Sequence, residues 1–138
     1  MPNYLTLLDV VAIHERVMRA GGYQPRLLLR PELLESALYR PQQAAYYEDA
    51  DLIRQAALLA VAISEAPAFE DGNKATAFAC LDLFLRDNDY RLHQAQRAVA
   101  DMLIAIADNR EGREQGITAL EAMLRENSRP MRSVTNGQ

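Results

Sequence analysis

The stretch "FEDGNKATAF", residues 69–78, holds the only lysine of the chain, directly behind Asp71-Gly72-Asn73. It is flanked by "DADLIRQAALLAVAISEA" (49–66) and "KATAFACLDLFLRDN" (74–88). In the first of these, Leu52, Ile53, Ala56, Leu59, Ala60 and Ile63 leave almost no polar face, and the second is also strongly apolar. A helix that is apolar nearly all round belongs in the middle of a bundle. Pro67 ends the first helix, because the residue before a proline avoids the helical region. Residues 67–73 therefore read as the turn between the two innermost helices of an all-α protein.

That turn has the makings of an anion site. The first N–H groups of a helix lack intrahelical partners and carry the positive end of its dipole. Gly72 lets a ligand approach the backbone closely, and a Gly-Asn turn leaves several N–H groups pointing one way, a nest suited to phosphate. Asp71 can hold Mg²⁺ through one carboxylate oxygen, as phosphate-bound magnesium sites usually require. Lys74 places a cation in the first helical turn, where it opposes the dipole unless an anion is near. Phe69 anchors the loop by burying its ring. The plainer alternative is a capped turn with Lys74 as a solvated surface residue.

Working outward, every other periodic segment is helical. "LTLLDVVAIHERVMRAGG" opens on Thr6 and Asp9 in capping-box spacing, carries the stripe Leu7, Val10, Val11, Val17 and Met18, and closes on Gly21-Gly22. "RPELLESALYRP" reads as a short helix with Pro31 in its first turn and Pro41 just past its end. "RLHQAQRAVADMLIAIADN" and "GREQGITALEAMLREN" supply two more amphipathic helices. Only "YQPRLLL" and "AAYYED" could be short extended segments. His14 reads as a packed or capping side chain, His93 as an exposed residue at a helix start, and Arg113 with Glu114 as a solvated face. "SRPMRSVTNGQ" is polar and aperiodic, and reads as a frayed tail.

Composition narrows the classes further. The 138 residues suit one domain with one core. A net charge of −4 gives no basic footprint for nucleic acid. The longest apolar run, "AALLAVAI", is too short to span a bilayer. Cys80 is the only cysteine, which excludes an internal disulfide and a thiol metal cluster, and reads as a small buried hydrophobe. No charged leader precedes an apolar run, so the expected compartment is the cytoplasm.

The sequence from Pro67 to Ala77, "PAFEDGNKATA", resembles the core motif of the Fic/Doc family, His-x-Phe-x-Asp-Gly-Asn-Lys-Arg-Thr-Ala. "YLTLLDVVAIHERVMRAGG", with Ile13-His14, is similar to the family's opening helix, and "LLESALYRPQQAAYYEDADLIRQAALLAVAISEAPAF" to its middle section. "FACLDLFLRDNDYRL" is similar to the helix that follows. The likeness covers roughly residues 4–92, with a looser helical match to about 126. It implies a bundle of about six helices over residues 1–126, a polar tail over 127–138, and a flap between helices 2 and 3 carrying Tyr46 and Tyr47. It further implies ATP and Mg as cofactors, with Gly72, Asn73 and Lys74 on phosphate and Asp71 on the metal. The implied reaction moves AMP or phosphate from ATP to a hydroxyl of a target protein. Lys74, where other Fic proteins have Gly, points to the Doc branch. There the implied target is a translation-related protein and the implied partner an antitoxin peptide or protein of a toxin–antitoxin pair.

Two motif groups are missing. The family's general base, a histidine, is replaced by Pro67, and its phosphate-gripping arginine by Ala75. A positioned base is worth about 10²–10⁴ in rate, and an arginine stabilising phosphoryl transfer about 10³–10⁵ at its best. One reading is a catalytically impaired scaffold or non-catalytic binding module that keeps the nucleotide or partner surface. The other is an active toxin working by a modified route. Alanine at 75 is also what deliberate disarming of a toxin would install, whereas proline at 67 is not.

Overall fold

The computed structural model describes residues 1–131. Six helices follow in order: α1 (Leu7–Ala20), α2 (Pro31–Glu48), α3 (Leu52–Glu65), α4 (Asn73–Asp87), α5 (Gln96–Asp108) and α6 (Arg113–Asn127). Two three-residue strands, β1 (Tyr90–Leu92) and β2 (Ser128–Pro130), pair antiparallel with Leu92 opposite Ser128. The all-α bundle expected from the sequence is the architecture found. No helix among the described residues is long and apolar enough to cross a membrane.

The core is built around α3. Ile53, Ala56, Ala57, Leu58, Leu59, Ala60, Val61 and Ile63 are all buried, and α2, α4, α5 and α6 pack against them. Its many alanines let those neighbours approach closely, while Phe84, Leu81 and Leu85 of α4 fill the opposite side. Cys80 is fully buried, and burial pushes its thiol up to about 12. A thiol held so far from ionisation behaves as an apolar side chain. At the start of α1 the capping box is complete, with Asp9 N–H donating to Thr6 Oγ1 and Thr6 N–H to Asp9 Oδ2.

Three expectations are corrected. Pro41 lies inside α2, which runs on to Glu48. A proline in a helix interior typically costs about 3 kcal/mol. Here the buried stripe Leu34, Ala37, Leu38, Pro41 and Ala44 passes straight through it, so tertiary burial carries the helix on. Residues 44–48 of "AAYYED" are therefore helical with Asp49 as the C-cap, and only Asp49–Asp51 separates α2 from α3, leaving no room for a flap there. The other extended candidate does pair. Leu28 bridges Phe69, and the N–H groups of Leu29 and Arg30 both donate to the Ala68 carbonyl. Finally, the start of the expected tail is structured: residues 128–130 form β2, and Met131 N–H donates to the Asp89 carbonyl. Residues 132–138 of that call lie outside the described residues.

A charged network ties α3 to α6. Asp51 caps α3 by accepting from Arg54 N–H and also accepts from Arg125, while Arg54 donates to Glu121 and Glu48. The Arg125 hydrogen bond, above all, holds the Asp51 carboxyl below the usual carboxylate range. The folded chain thus binds its proton less readily than the unfolded chain. This contribution to stability is complete above the unfolded value near 4 and is lost as pH falls through the lower folded value. Asp51→Ala should cost about 1 kcal/mol at neutral pH, chiefly through the lost cap. Urea titrations should show that difference shrinking at pH values below about 4; an unchanged gap at low pH would rule the linkage out.

Candidate functional site

The loop 66–72 is shaped by its own residues before any ligand is considered. Ala68 N–H donates to the Ala66 carbonyl, closing a three-residue turn centred on Pro67. Proline suits that centre because its φ is preset and its missing N–H is not needed. Asn73 then ties the loop back on itself. Its Oδ1 accepts from Phe69 N–H at 3.0 Å and its Nδ2 donates to the Phe69 carbonyl at 2.9 Å.

Behind the loop stands His14 of α1, only 2% exposed. Its ring stacks on Phe69 with centroids 3.8 Å apart and planes 8° from parallel. His14 Nε2 lies 2.8 Å from the Asp71 carbonyl oxygen, which can only accept, so Nε2 carries the proton. The packed histidine expected from the sequence is thus the loop's clamp. Phe69, 3% exposed, is the buried anchor that its position implied. Gly72 has a reason beyond the one its motif suggested. Its φ is +82°, and a Cβ there would lie 2.6 Å from the Met18 sulfur and 3.3 Å from His14 Nε2. The glycine lets the loop press against α1, on the side away from any ligand.

On the open side, α4 begins without a side-chain cap, and its first intrahelical bond runs from Thr76 N–H to the Gly72 carbonyl. The backbone N–H groups of Asn73, Lys74 and Ala75 have no acceptor among the described residues. Asn73 and Lys74 adjoin a cleft of about 220 Å³ that is also lined by Ser64, Glu65, Pro67, Ala107 and Arg110. The cleft brings Pro67, Asn73 and Lys74 together. Gly72 and Asp71 are not in its wall. Gly72 N–H already donates to Asp71 Oδ1 at 2.7 Å, and the Asn73 amide is spent on Phe69. What remains for an anion from those two positions is the Asn73 backbone N–H.

Several contributors were not legible from the motif. Ser64 is 6% exposed, and its hydroxyl has no partner among the described residues. Glu65 is gripped by Arg113 through a bidentate fork, Nε and Nη2 lying 2.9–3.1 Å from its two oxygens. Arg113 is therefore no ordinary solvated residue; that hydrogen bond raises its already high pKa. Arg110 and Lys74 make no ion pair among the described residues. Only the arginine-rich run "NREGRE" hinted at this wall, and nothing local says that it folds back against α3.

Tyr46 and Tyr47 belong elsewhere. They are exposed on the last turn of α2 and help line a larger cleft of about 590 Å³ with Tyr4, Tyr39 and Gln42. Arg30, at the other end of α2, donates to the Pro67 carbonyl. A rise of about 1.5 Å per residue puts Tyr46 roughly 24 Å away along the axis. The segment that overlies the loop is 27–30. His93 is exposed as expected, but it lies in the connection before α5, its N–H donating to the Asn127 carbonyl.

The model of the Fic/DOC family matches residues 4–85. The chain belongs to the Fic/DOC family. No curated protein matches it. The matched span holds α1 to α3 and most of α4, with the loop between the last two, and ends before the elements that supply Arg110 and Arg113. Members of the family generally transfer AMP or phosphate, which is the chemistry an uncapped α4 N-terminus with an adjacent lysine suits.

Two substitutions test the clamp. His14→Ala removes the stack and leaves the Asp71 carbonyl unpaired, and should destabilise the fold by about 2–4 kcal/mol in urea unfolding. Gly72→Ala must hold a left-handed residue and push the flexible Met18 side chain aside, and should cost about 1–2 kcal/mol. A stability change below about 0.5 kcal/mol for both would mean that the loop is not held from behind.

Proposed function

We propose that this Fic/DOC protein is a Doc-type phosphate- or nucleotide-binding scaffold whose transfer chemistry is strongly impaired. The observation that carries the reading is a cleft lined by Asn73 and Lys74, whose helix N–H groups have no acceptor, and by Lys74 and Arg110, which make no ion pair, with no free carboxylate or imidazole in its wall among the described residues. Pro67 occupies the position of the family's base. The carboxylate in the wall, Glu65, is locked to Arg113. His14 is behind the loop, with Nε2–H committed to the Asp71 carbonyl. Glu70 is exposed on the loop, 3.8 Å from Arg26. A target hydroxyl entering the cleft would find donors for phosphate oxygens and nothing placed to take its proton.

The donor set fits a magnesium nucleotide in one respect. Asp71 is exposed and spends one carboxylate oxygen on Gly72 N–H, leaving the other free. No cluster of three His, Cys, Asp or Glu side chains exists among the described residues. Asp71 would therefore share the ion with nucleotide oxygens, where Mg²⁺ would neutralise phosphate charge. The helix amides and Lys74 would orient the phosphate chain, and the apolar side of the loop, Phe69 against His14, would keep that geometry rigid.

Calorimetry with ATP and magnesium should detect binding, weakened at least tenfold by Lys74→Ala. With γ- or α-labelled ATP, transfer to proteins of a cell extract should be at least 10²-fold below that of the Pro67→His, Ala75→Arg double variant. Vigorous labelling by the chain as it stands would sink the impaired reading and favour a modified catalytic route. Absence of ATP binding would sink the nucleotide-scaffold reading.

A partner surface has its own support. Between α1 and α4 runs an open groove of about 350 Å³ lined by Val17, Ala20, Phe78 and Leu83 together with Arg16, Asp82 and Arg86, of which Asp82 and Arg86 are paired with each other at 3.1 Å. An antitoxin segment that folds on binding, with an apolar face and an acidic side chain to meet Arg16, would suit it. Co-purification with the product of a neighbouring reading frame, lost on Phe78→Glu, is the expected result; retention by that variant would remove the groove from consideration.

A further inference from the structure

We infer that the outer face of α2, with the segment that leads into α1, is a docking groove for a proline-rich segment of another protein, bound as a polyproline II helix with a basic residue at one end. This groove shares no residue with the α4 cleft or with the groove between α1 and α4, so the inference stands apart from the phosphate reading.

Two connected clefts of about 590 and 360 Å³ make up the groove, with Tyr39 and Gln42 in the wall of both. Gln43, Tyr46 and Tyr47 continue it in one direction and Glu35 in the other. Residues 35, 39, 42 and 46 fall in one row on α2, because positions four, seven and eleven apart share a helix face. Tyr39, Tyr46 and Tyr47 are 55%, 77% and 79% exposed. Tyr46 and Tyr47 meet at 55° with centroids 4.7 Å apart, so neither ring covers the other's face. Clustered exposed aromatics of this kind mark a surface that contacts something else.

Charge, hydrogen bonding and spacing select the occupant. The larger cleft has no charged side chain in its wall, although a quarter of the chain is charged, and the charged residues beside its tyrosines, Arg40 and Glu48, are paired with each other at 3.6 Å. The core of the ligand is therefore neutral. Among the described residues the glutamine side chains that make hydrogen bonds are those of Gln55, Gln94 and Gln96, which leaves the amides of Gln42 and Gln43 free. A polyproline II segment has no internal hydrogen bonds, so its carbonyls can accept from these amides. An α-helix laid on the same face would have its carbonyls already bonded. Tyr39 and Tyr46 are about 10.5 Å apart along the axis, and one polyproline II turn advances about 9.3 Å. Prolines three positions apart can each pack on a tyrosine ring. A β-strand repeats its faces about every 6.6 Å and falls out of step. Glu35, one turn before Tyr39, is exposed and makes no ion pair among the described residues. A lysine or arginine next to the proline core would meet it there.

The chain has no tryptophan, and four of its six tyrosines line the larger cleft, so tyrosine fluorescence reports occupancy. The probes are two synthetic peptides of nine prolines, with an arginine at the amino end in one and at the carboxyl end in the other, titrated into the full chain. One of them should give a saturable change and bind at least about tenfold tighter than a glycine–serine peptide of equal length and charge, which lacks the preset conformation. Tyr46→Ala should weaken it at least about tenfold by calorimetry. Glu35→Gln should abolish the preference between the two peptides and leave proline binding in place. Both side chains are exposed, so the variants should keep the parent's melting temperature, and ATP binding should not change. No saturable response to either peptide overturns the inference, as does affinity unchanged by Tyr46→Ala. A preference that survives Glu35→Gln overturns the role of Glu35. A dimer in sedimentation that Tyr46→Ala dissolves and the peptides do not would assign the face to a second copy of the chain and overturn the proline-rich partner.

Discussion

The whole site depends on one buried contact, the imidazole of His14 against the Asp71 carbonyl and the face of Phe69. A backbone carbonyl turned inward needs a donor, and a loop that presents amides outward must be held from the other side. His14 supplies the donor and a flat apolar surface together. Gly72 then closes the remaining distance, since any Cβ would meet Met18 and the same ring. Asn73, bonded twice to Phe69, makes the turn self-supporting. The motif residues Phe69, Gly72 and Asn73 are therefore explained by packing of the loop on α1 and on itself, and only the α4 amides and Lys74 are left facing the cleft.

Charge arrangement is the second constraint. In a cleft at the protein surface, a carboxylate some 4–6 Å from a bound anion would cancel much of what a lysine offers. The chain keeps Glu65 but locks it to Arg113, so α6 is joined to α3 by the pair that also silences the acid. Elsewhere charges are placed for architecture. Asp51, Arg54, Glu121 and Arg125 connect α3 with α6 at the end remote from the loop, where exposure limits what each pair contributes.

Much of this was legible in the residues themselves. Apolar patterning located α3 and α4, Thr6 and Asp9 marked the start of α1, and Asp71-Gly72-Asn73-Lys74 marked the loop between the central helices. These are local signals, set by periodicity and turn chemistry. What could not be read was non-local. Pro41 looked like a terminator because its cost is local, whereas the burial that overrides it comes from packing of α2 on α3. Tyr46 and Tyr47 followed it out of the helix in the sequence reading and returned to α2 in the structure. Arg113 looked like surface charge because its partner is distant: Glu65 is 48 positions away. The hydroxyl of Ser64 carried no signal, since a serine near a helix end usually bonds to its own backbone.

The short β1–β2 pairing gives the last two helices an unexpected importance. By joining residues 90–92 to 128–130 it closes α5 and α6 into a ring that must dock before the far wall of the cleft exists. The recognisable family segment stops at residue 85, inside α4. A census that judges such chains by the central motif alone inspects one bank of the channel. The opposite bank, with Ala107 and Arg110 in it, is built by α5 and the turn after it, outside the span that the family model recognises.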